Sequence, residues 1–337
     1  MENAPSAPSA PNAAGEWNPP DVPSEPNPPS EPNPPSAPDS WKPPRWWTSR
    51  RSPTRTLLTA ALVIALSGLG VRAASAADAT AAHCAGASGA AAPAARAAAQ
   101  PVTVWLAGDS TMANPNGRCP VGWGSQFGAL FDSGVTVRNQ AVGGRSIQTW
   151  LYESNVSGTK GSDGECVITS PTYSARWQAM LNASTGMKAG DYLFIQFGIN
   201  DSSSTCPRHV GPARYQQLMT MMAKAALARG AHPVLLTPVA ALTCSGSTAT
   251  RNRGFVEQTH AAGTAARAPV VDLQTLSVSL YNSLRFCPHN GDYGSGPVGA
   301  FFCDDRTHFD THGAQQVARL VAGDVRRQNL PLAARLR

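Results

Sequence analysis

Five short apolar runs punctuate the C-terminal two thirds of the chain: Val102 to Ala107 (VTVWLA), Val135 to Val137, Tyr192 to Phe197 (YLFIQF), Pro233 to Leu236 and Val270 to Leu273. Each is three to six residues long and rich in β-branched or aromatic side chains, which predicts strands. Longer helical patterns lie between them. The clearest are Tyr215 to Arg229, where Leu218, Met221, Met222 and Ala225 recur at helical spacing, and Ala314 to Arg326 near the end. The methionine pair reads as core filling. Strands alternating with helices predict an α/β fold: a mostly parallel, doubly wound sheet covered on both faces, three layers in all. In such folds ligands meet the loops that leave the carboxyl ends of the strands.

The first hundred residues are patterned differently. Fifteen prolines fall within residues 1–50, in near-repeats such as PSEPNPPSEPNPPSAP. This composition removes backbone donors and offers little to bury, so it predicts a disordered, polyproline-like arm. Lys42, Arg45, Arg50, Arg51 and Arg55 then precede an apolar run from Leu57 to Val71 and the small-residue triplet Ala74-Ser75-Ala76. That order predicts an export segment over residues 51–76, cleaved after Ala76. Uncleaved, residues 57–71 would attach the chain to a membrane with its N-terminus inside, although the run is short for a comfortable span. Residues 77–100 hold fourteen alanines and read as a flexible linker. Residues 101–337 are then a single globular domain, secreted or held outside a membrane.

The chain carries +6 overall, and the first hundred residues are balanced at seven basic and seven acidic, so the whole excess belongs to the domain. Spread over that length, it does not mark a nucleic-acid binder. All seven cysteines (84, 119, 166, 206, 244, 287 and 303) follow the proposed cleavage site without metal-ligand spacing, which favours disulfides over zinc. Cys84 is the expected odd one out. The pairing expected for the rest is Cys206 with Cys244, Cys287 with Cys303 and Cys119 with Cys166, one of fifteen connectivities.

Candidate chemistry sits at the predicted strand ends. Gly108-Asp109-Ser110-Thr111 follows the first strand and places a serine hydroxyl in the crevice, although a serine there also serves as an N-cap. Asn139 to Ser146 (NQAVGGRS) follows the second strand; its adjacent glycines can bare backbone N–H groups or make a plain turn. Arg145, beside them, either meets a substrate carboxylate or closes an internal ion pair. Gly198-Ile199-Asn200-Asp201 follows the third strand, and the Asn200 amide can donate into the same crevice. Before the last helix stands Asp304-Asp305-Arg306-Thr307-His308-Phe309-Asp310. Asp305 and His308 are three apart, so the carboxylate can hold one ring nitrogen while the other takes a proton from a hydroxyl. A metal site built from Asp304, Asp305, His308 and Asp310 is the rival reading. Asp310 or Thr311 is expected to cap the helix, with His312 solvated in its first turn.

These four segments, in this order, resemble the SGNH (GDSL-type) hydrolases: GDST at 108–111, NQAVGGRS at 139–146, GIND at 198–201 and DRTH at 305–308. AGDSTMA, GWG at 122–124 and AVGGRS look most like the rhamnogalacturonan acetylesterase branch, which also replaces the leucine of GDSL, here by Thr111. The resemblance implies a flavodoxin-like SGNH fold, with Ser110 as nucleophile, His308 as general base and Asp305 as its orienter. It implies an oxyanion hole from the Ser110 and Gly144 N–H groups and the Asn200 side chain, with Gly143 the alternative to Gly144, and no metal or organic cofactor. It also implies a monomeric esterase that removes acetyl groups from a polysaccharide, pectic rhamnogalacturonan foremost. A lipid or lysophospholipid esterase and a non-catalytic carbohydrate-binding protein on the same fold are the alternatives.

Overall fold

The structure, a computed structural model, describes residues 100–337. The expectations for the proline-rich arm, the export segment, the linker and Cys84 fall on residues 1–99 and lie outside the described residues.

All five predicted strands are present and form one parallel sheet. They are β1 (Val102–Gly108), β2 (Val135–Asn139), β5 (Tyr192–Gln196), β6 (His232–Leu236) and β9 (Val270–Val271), in the order β2-β1-β5-β6-β9. Successive side chains point to opposite faces, and both faces are apolar. Val104, Leu106, Phe194, Val234 and Leu236 face one core, while Trp105, Ala107, Leu193, Ile195 and Leu235 face the other. Strands buried on both sides read as continuous apolar runs, which is why they were legible in the sequence.

The first core is closed by α1 (Gly124–Phe127), α6 (Leu273–Ser283), the short α7 (Gly296–Gly299) and α8 (Thr311–Arg327), which contribute Phe127, Tyr281, Val298, Val317 and Val321. The second is closed by α2 (Ile147–Tyr152), α3 (Ala175–Leu181), α4 (Pro212–Ala228) and α5 (Val256–Ala266), through Trp150, Trp177, Met222 and Ala262. This is the expected three-layer arrangement. Met222 is fully buried, as a core residue should be.

Boundaries shift where local chemistry overrides periodicity. α4 starts three residues before the apolar pattern, because Pro212 at its first turn has no N–H to leave unpaired. The last strand stops at Val271 rather than Leu273: the Asp272 side chain accepts from Thr275 N at 3.1 Å and caps α6, making Leu273 helical. Asp310 caps α8 as expected, and His312 is exposed in its first turn. Two small hairpins went unforeseen, β3 (Val156–Lys160) with β4 (Cys166–Ile168) and β7 (Cys244–Ser245) with β8 (Thr248–Ala249). Their exposed polar residues carry little apolar signal. Among the described residues no helix is long and apolar enough to cross a membrane.

The disulfide expectation is overturned. The bonds are Cys119–Cys303, Cys166–Cys206 and Cys244–Cys287, so none of the three expected pairs forms. Partners are set by which segments the packed fold brings side by side, including the hairpin strands that carry Cys166 and Cys244. Cys119 and Cys303 are 184 residues apart, yet their loops abut.

By chain entropy, a cross-link closing so long a loop stabilises more than one closing a short loop. Replacing both Cys119 and Cys303 by Ser should lower the unfolding free energy by roughly 2–5 kcal/mol. In guanidinium titrations that loss should exceed the loss from the Cys166→Ser/Cys206→Ser pair, which spans 40 residues.

Candidate active site

β1, β5 and β6 end level, with Gly108 opposite Gln196 and Gln196 opposite Leu236, and β2 ends two residues short of them, with Asn139 opposite Leu106. The loops that follow therefore leave the same edge of the sheet. Ser110, the glycine pair and Asn200 stand on three of them.

Behind Ser110 runs a buried chain of hydrogen bonds. Trp123 Nε1 donates to Gln196 Oε1 at 2.7 Å, Gln196 Nε2 donates to Thr111 Oγ1 at 2.6 Å, and the Thr111 hydroxyl donates to Asp109 Oδ1 at 2.8 Å. The Thr111 amide also donates to Asp109 Oδ1, at 2.9 Å. All four side chains are buried. The threonine is thus a relay that an apolar residue at 111 would break. Burial pushes the Asp109 carboxyl up, and the bonds from Thr111 and the charge of Arg253 offset this only in part.

The base loop folds back by a short antiparallel bridge, Phe302 with Phe309, while Cys303 N donates to His308 O at 2.9 Å. Within it, Asp305 Oδ1 accepts from Thr307 N at 2.6 Å and His308 N at 2.7 Å, and Asp305 Oδ2 lies 2.6 Å from His308 Nδ1. Burial draws the Asp305 carboxyl upward, but its bonds to the His308 ring, His308 N and Thr307 N outweigh this and hold it below the ordinary range. His308 Nε2 stands 2.9 Å from Ser110 Oγ, across 198 residues of chain. With Nδ1 facing a carboxylate, the proton belongs there and Nε2 is left to accept from the hydroxyl.

This base loop is tied to the nucleophile loop and its neighbours. Val121 N donates to Phe309 O and Leu242 N to Arg306 O. Arg253 Nη2 donates to Thr307 Oγ1 at 2.9 Å. The backbone of Arg253 is clamped by the buried Gln274, whose Oε1 accepts from Arg253 N and whose Nε2 donates to Arg253 O.

On the other side, Gly144 takes a left-handed φ of +74° and Gly198 one of +118°, and a Cβ on Gly198 would sit 2.4 Å from Pro238 Cγ. Asn200 Nδ2 donates one hydrogen to Arg145 O at 3.1 Å, which fixes the amide and leaves its second N–H available. The N–H groups of Ser110, Gly143 and Gly144 donate to no protein acceptor among the described residues. A Cβ on Gly143 would come within 3.7 Å of Ser110 Cβ, so the glycine turn runs directly against the serine.

Asp201 closes the GIND segment, and nothing local in the sequence assigns it a role. It is fully buried, and it binds the glycine loop to the asparagine loop: Oδ1 accepts from Ile147 N and Oδ2 from Gly198 N, both at 2.9 Å. Burial raises its carboxyl to about 7, helped by the nearby Asp109 and resisted by those two amide bonds. No local signal could have shown this contact, which spans 54 residues.

The expected residues thus come together, with one reassignment. Arg145 closes the internal ion pair, 2.9 Å from Glu153, which also receives Arg176. The rival metal reading loses its ligands to other work: Asp310 caps α8 and Asp305 holds His308. No group of three His, Cys, Asp or Glu side chains among the described residues is placed to hold an ion. Chemically, the arrangement can withdraw a proton from Ser110 and offer the unengaged N–H groups of the serine and the glycine turn beside it to an anionic oxygen.

Comparison with known proteins agrees. The GDSL-like lipase/acylhydrolase family matches residues 104–321. The chain is 33% identical over 254 residues to rhamnogalacturonan acetylesterase RhgT of Bacillus subtilis (strain 168), covering 69% of this chain and 93% of that protein. It is 30% identical over 237 residues to the probable rhamnogalacturonan acetylesterase YesY of the same organism, covering 68% of this chain and 94% of that one. A rhamnogalacturonan acetylesterase of Emericella nidulans is 27% identical over 241 residues, with 64% and 81% covered. The crystal structure of YxiM from Bacillus subtilis superposes with a TM-score of 0.53 at 25% identity, over 69% of this chain and 58% of that chain. With the match extending from the middle of β1 into α8 and taking in every segment of the site, the chain belongs to the GDSL-like lipase/acylhydrolase family.

Proposed function

We propose that the protein is a serine esterase that removes O-acetyl groups from a polysaccharide, with rhamnogalacturonan as its substrate. The observation that carries this reading is the line of contacts Asp305 Oδ2 to His308 Nδ1 (2.6 Å) and His308 Nε2 to Ser110 Oγ (2.9 Å). The acetylesterase relatives supply the substrate class.

In this mechanism Ser110 Oγ attacks the acetyl carbonyl while His308 Nε2 takes its proton. The Asp305 carboxylate keeps the ring oriented and stabilises the imidazolium. The developing oxyanion is met by the Ser110 and Gly144 N–H groups and the free Asn200 N–H, fixed dipoles that need no reorganisation. His308 then protonates the departing sugar oxygen, leaving acetyl-Ser110. Water, deprotonated by the same nitrogen, attacks that ester, and His308 returns the proton to Ser110 Oγ as acetate leaves. Every group in this scheme comes from one chain, which suits a monomer.

We also read the protein as exported by way of residues 51–76. Three disulfides among the described residues suit an oxidising compartment.

The direct test is acetate release from acetylated rhamnogalacturonan beside acetylated xylan and a long-chain ester. Wild type should prefer the first, Ser110→Ala should release none, and Asp305→Asn should fall roughly 10²–10⁴-fold in kcat. Cleavage of the long-chain ester alone would overturn the reading.

Asp201 gives a second test. In Asp201→Asn one amide donor faces an NH2 group instead of an oxygen, and the two halves of the oxyanion hole lose their common tether. We expect kcat to fall roughly 10–100-fold with little change in KM. The pH dependence of stability should change too. The unfolded Asp201 ionises near pH 4 and the folded one near 7, so its contribution is full below about pH 4 and is lost as pH rises through 7. Thermal unfolding from pH 4 to 8 should show that decline flattened in the Asn variant.

A further inference from the structure

Two arginines meet the Asn200 amide, Arg145 through its backbone oxygen and Arg208 through its guanidinium, and their charged groups are engaged differently. Arg145 lies against Glu153, so its charge is answered within the protein. Arg208 is exposed, and its Nη1 lies 3.5 Å from Asn200 Oδ1, at the outer edge of hydrogen bonding. No carboxylate among the described residues pairs with it.

The backbone beneath Arg208 is held firmly. The carbonyls on either side of it, Pro207 O and His209 O, accept from Gln148 Nε2 at 3.0 and 2.6 Å, and Gln148 is fully buried in α2. Cys206 is bonded to Cys166. His209 Nδ1 lies 2.7 Å from Ser203 O, and Val210 N donates to Asp201 O. The fold therefore fixes the root of one unanswered cation beside a donor of the proposed oxyanion hole. A cation whose anchor is already ordered loses less freedom when it captures an anion.

We propose that Arg208 is a specificity-determining residue that receives the carboxylate of a uronic acid, on the acetylated sugar or the one beside it. The Asn200 amide presents its N–H to the ester and its oxygen to Arg208. The guanidinium fork matches a carboxylate in two parallel bonds, and the domain's positive excess draws in a polyanion. This inference rests on the polysaccharide-esterase reading above and assigns its charge selectivity.

The experiment compares the full chain with Arg208→Gln and Arg208→Lys on acetylated rhamnogalacturonan oligosaccharides and on the same oligosaccharides with their carboxyl groups reduced to alcohols. The Gln variant should lose about 10–100-fold in kcat/KM on the acidic substrate, chiefly through KM. That loss should exceed the loss on the reduced substrate by at least tenfold, and Lys should restore part of it. Equal losses on both substrates would overturn the proposal, because Arg208 would then act through Asn200 rather than on charge. Unchanged selectivity would overturn it as well. Oligogalacturonate inhibition of p-nitrophenyl acetate hydrolysis separates this inference from the substrate reading. If wild type favours acetylated xylan, the substrate reading falls, while inhibition weakened in Arg208→Gln still supports the carboxylate site. Absence of inhibition in wild type refutes it.

Discussion

Parallel pairing in register, with Gly108 opposite Gln196 and Leu106 opposite Asn139, is the constraint on which the site depends. β1 and β5 end level and β2 two residues short of them, so their loops leave a common edge and residues about 90 positions apart come within reach without any long insertion. The sheet can do this because both of its faces are apolar and both are covered. Slipping one strand by a single residue would turn every buried side chain toward the wrong core. Core packing and site geometry are thus one requirement.

Buried polar groups carry that precision from the sheet into the loops. Asp109 and Asp201 are both fully buried, and the nearby Asp109 helps burial to raise the Asp201 carboxyl. Such groups are poor stabilisers, since burial disfavours their charged forms. Their value is geometric. Asp109 organises the turn that holds Ser110 through Thr111, Gln196 and Trp123. Asp201 fixes the distance between the glycine turn and Asn200. The apolar layers on either side offset the cost.

The base loop is secured differently. Besides the His308 contact with Ser110 and the burial of Phe302 and Phe309, it is held by the Cys119–Cys303 bond, the backbone bonds Val121 to Phe309 and Leu242 to Arg306, and the Arg253 bond to Thr307. These ties come from three separate loops, so the position of His308 depends on all of them. Asp305 needs none of this help, because its bonds to residues 307 and 308 are local.

Local chemistry determined much of this protein from sequence alone. Continuous apolar runs gave the five sheet strands, helical spacing gave α4 and α8, and the three-residue interval between Asp305 and His308 gave their contact. Glycine and capping residues marked the turns in which Ser110, Gly144 and Asn200 stand. The tertiary structure decided whatever needed partners distant in sequence. It set all three disulfides against the expected pairing, engaged Arg145 with Glu153, left Arg208 open beside Asn200, and gave Asp201 its two amides. Propensity and periodicity act over one or two turns of chain. Which loops share an edge follows only once the strands are ordered and the chain between them is packed.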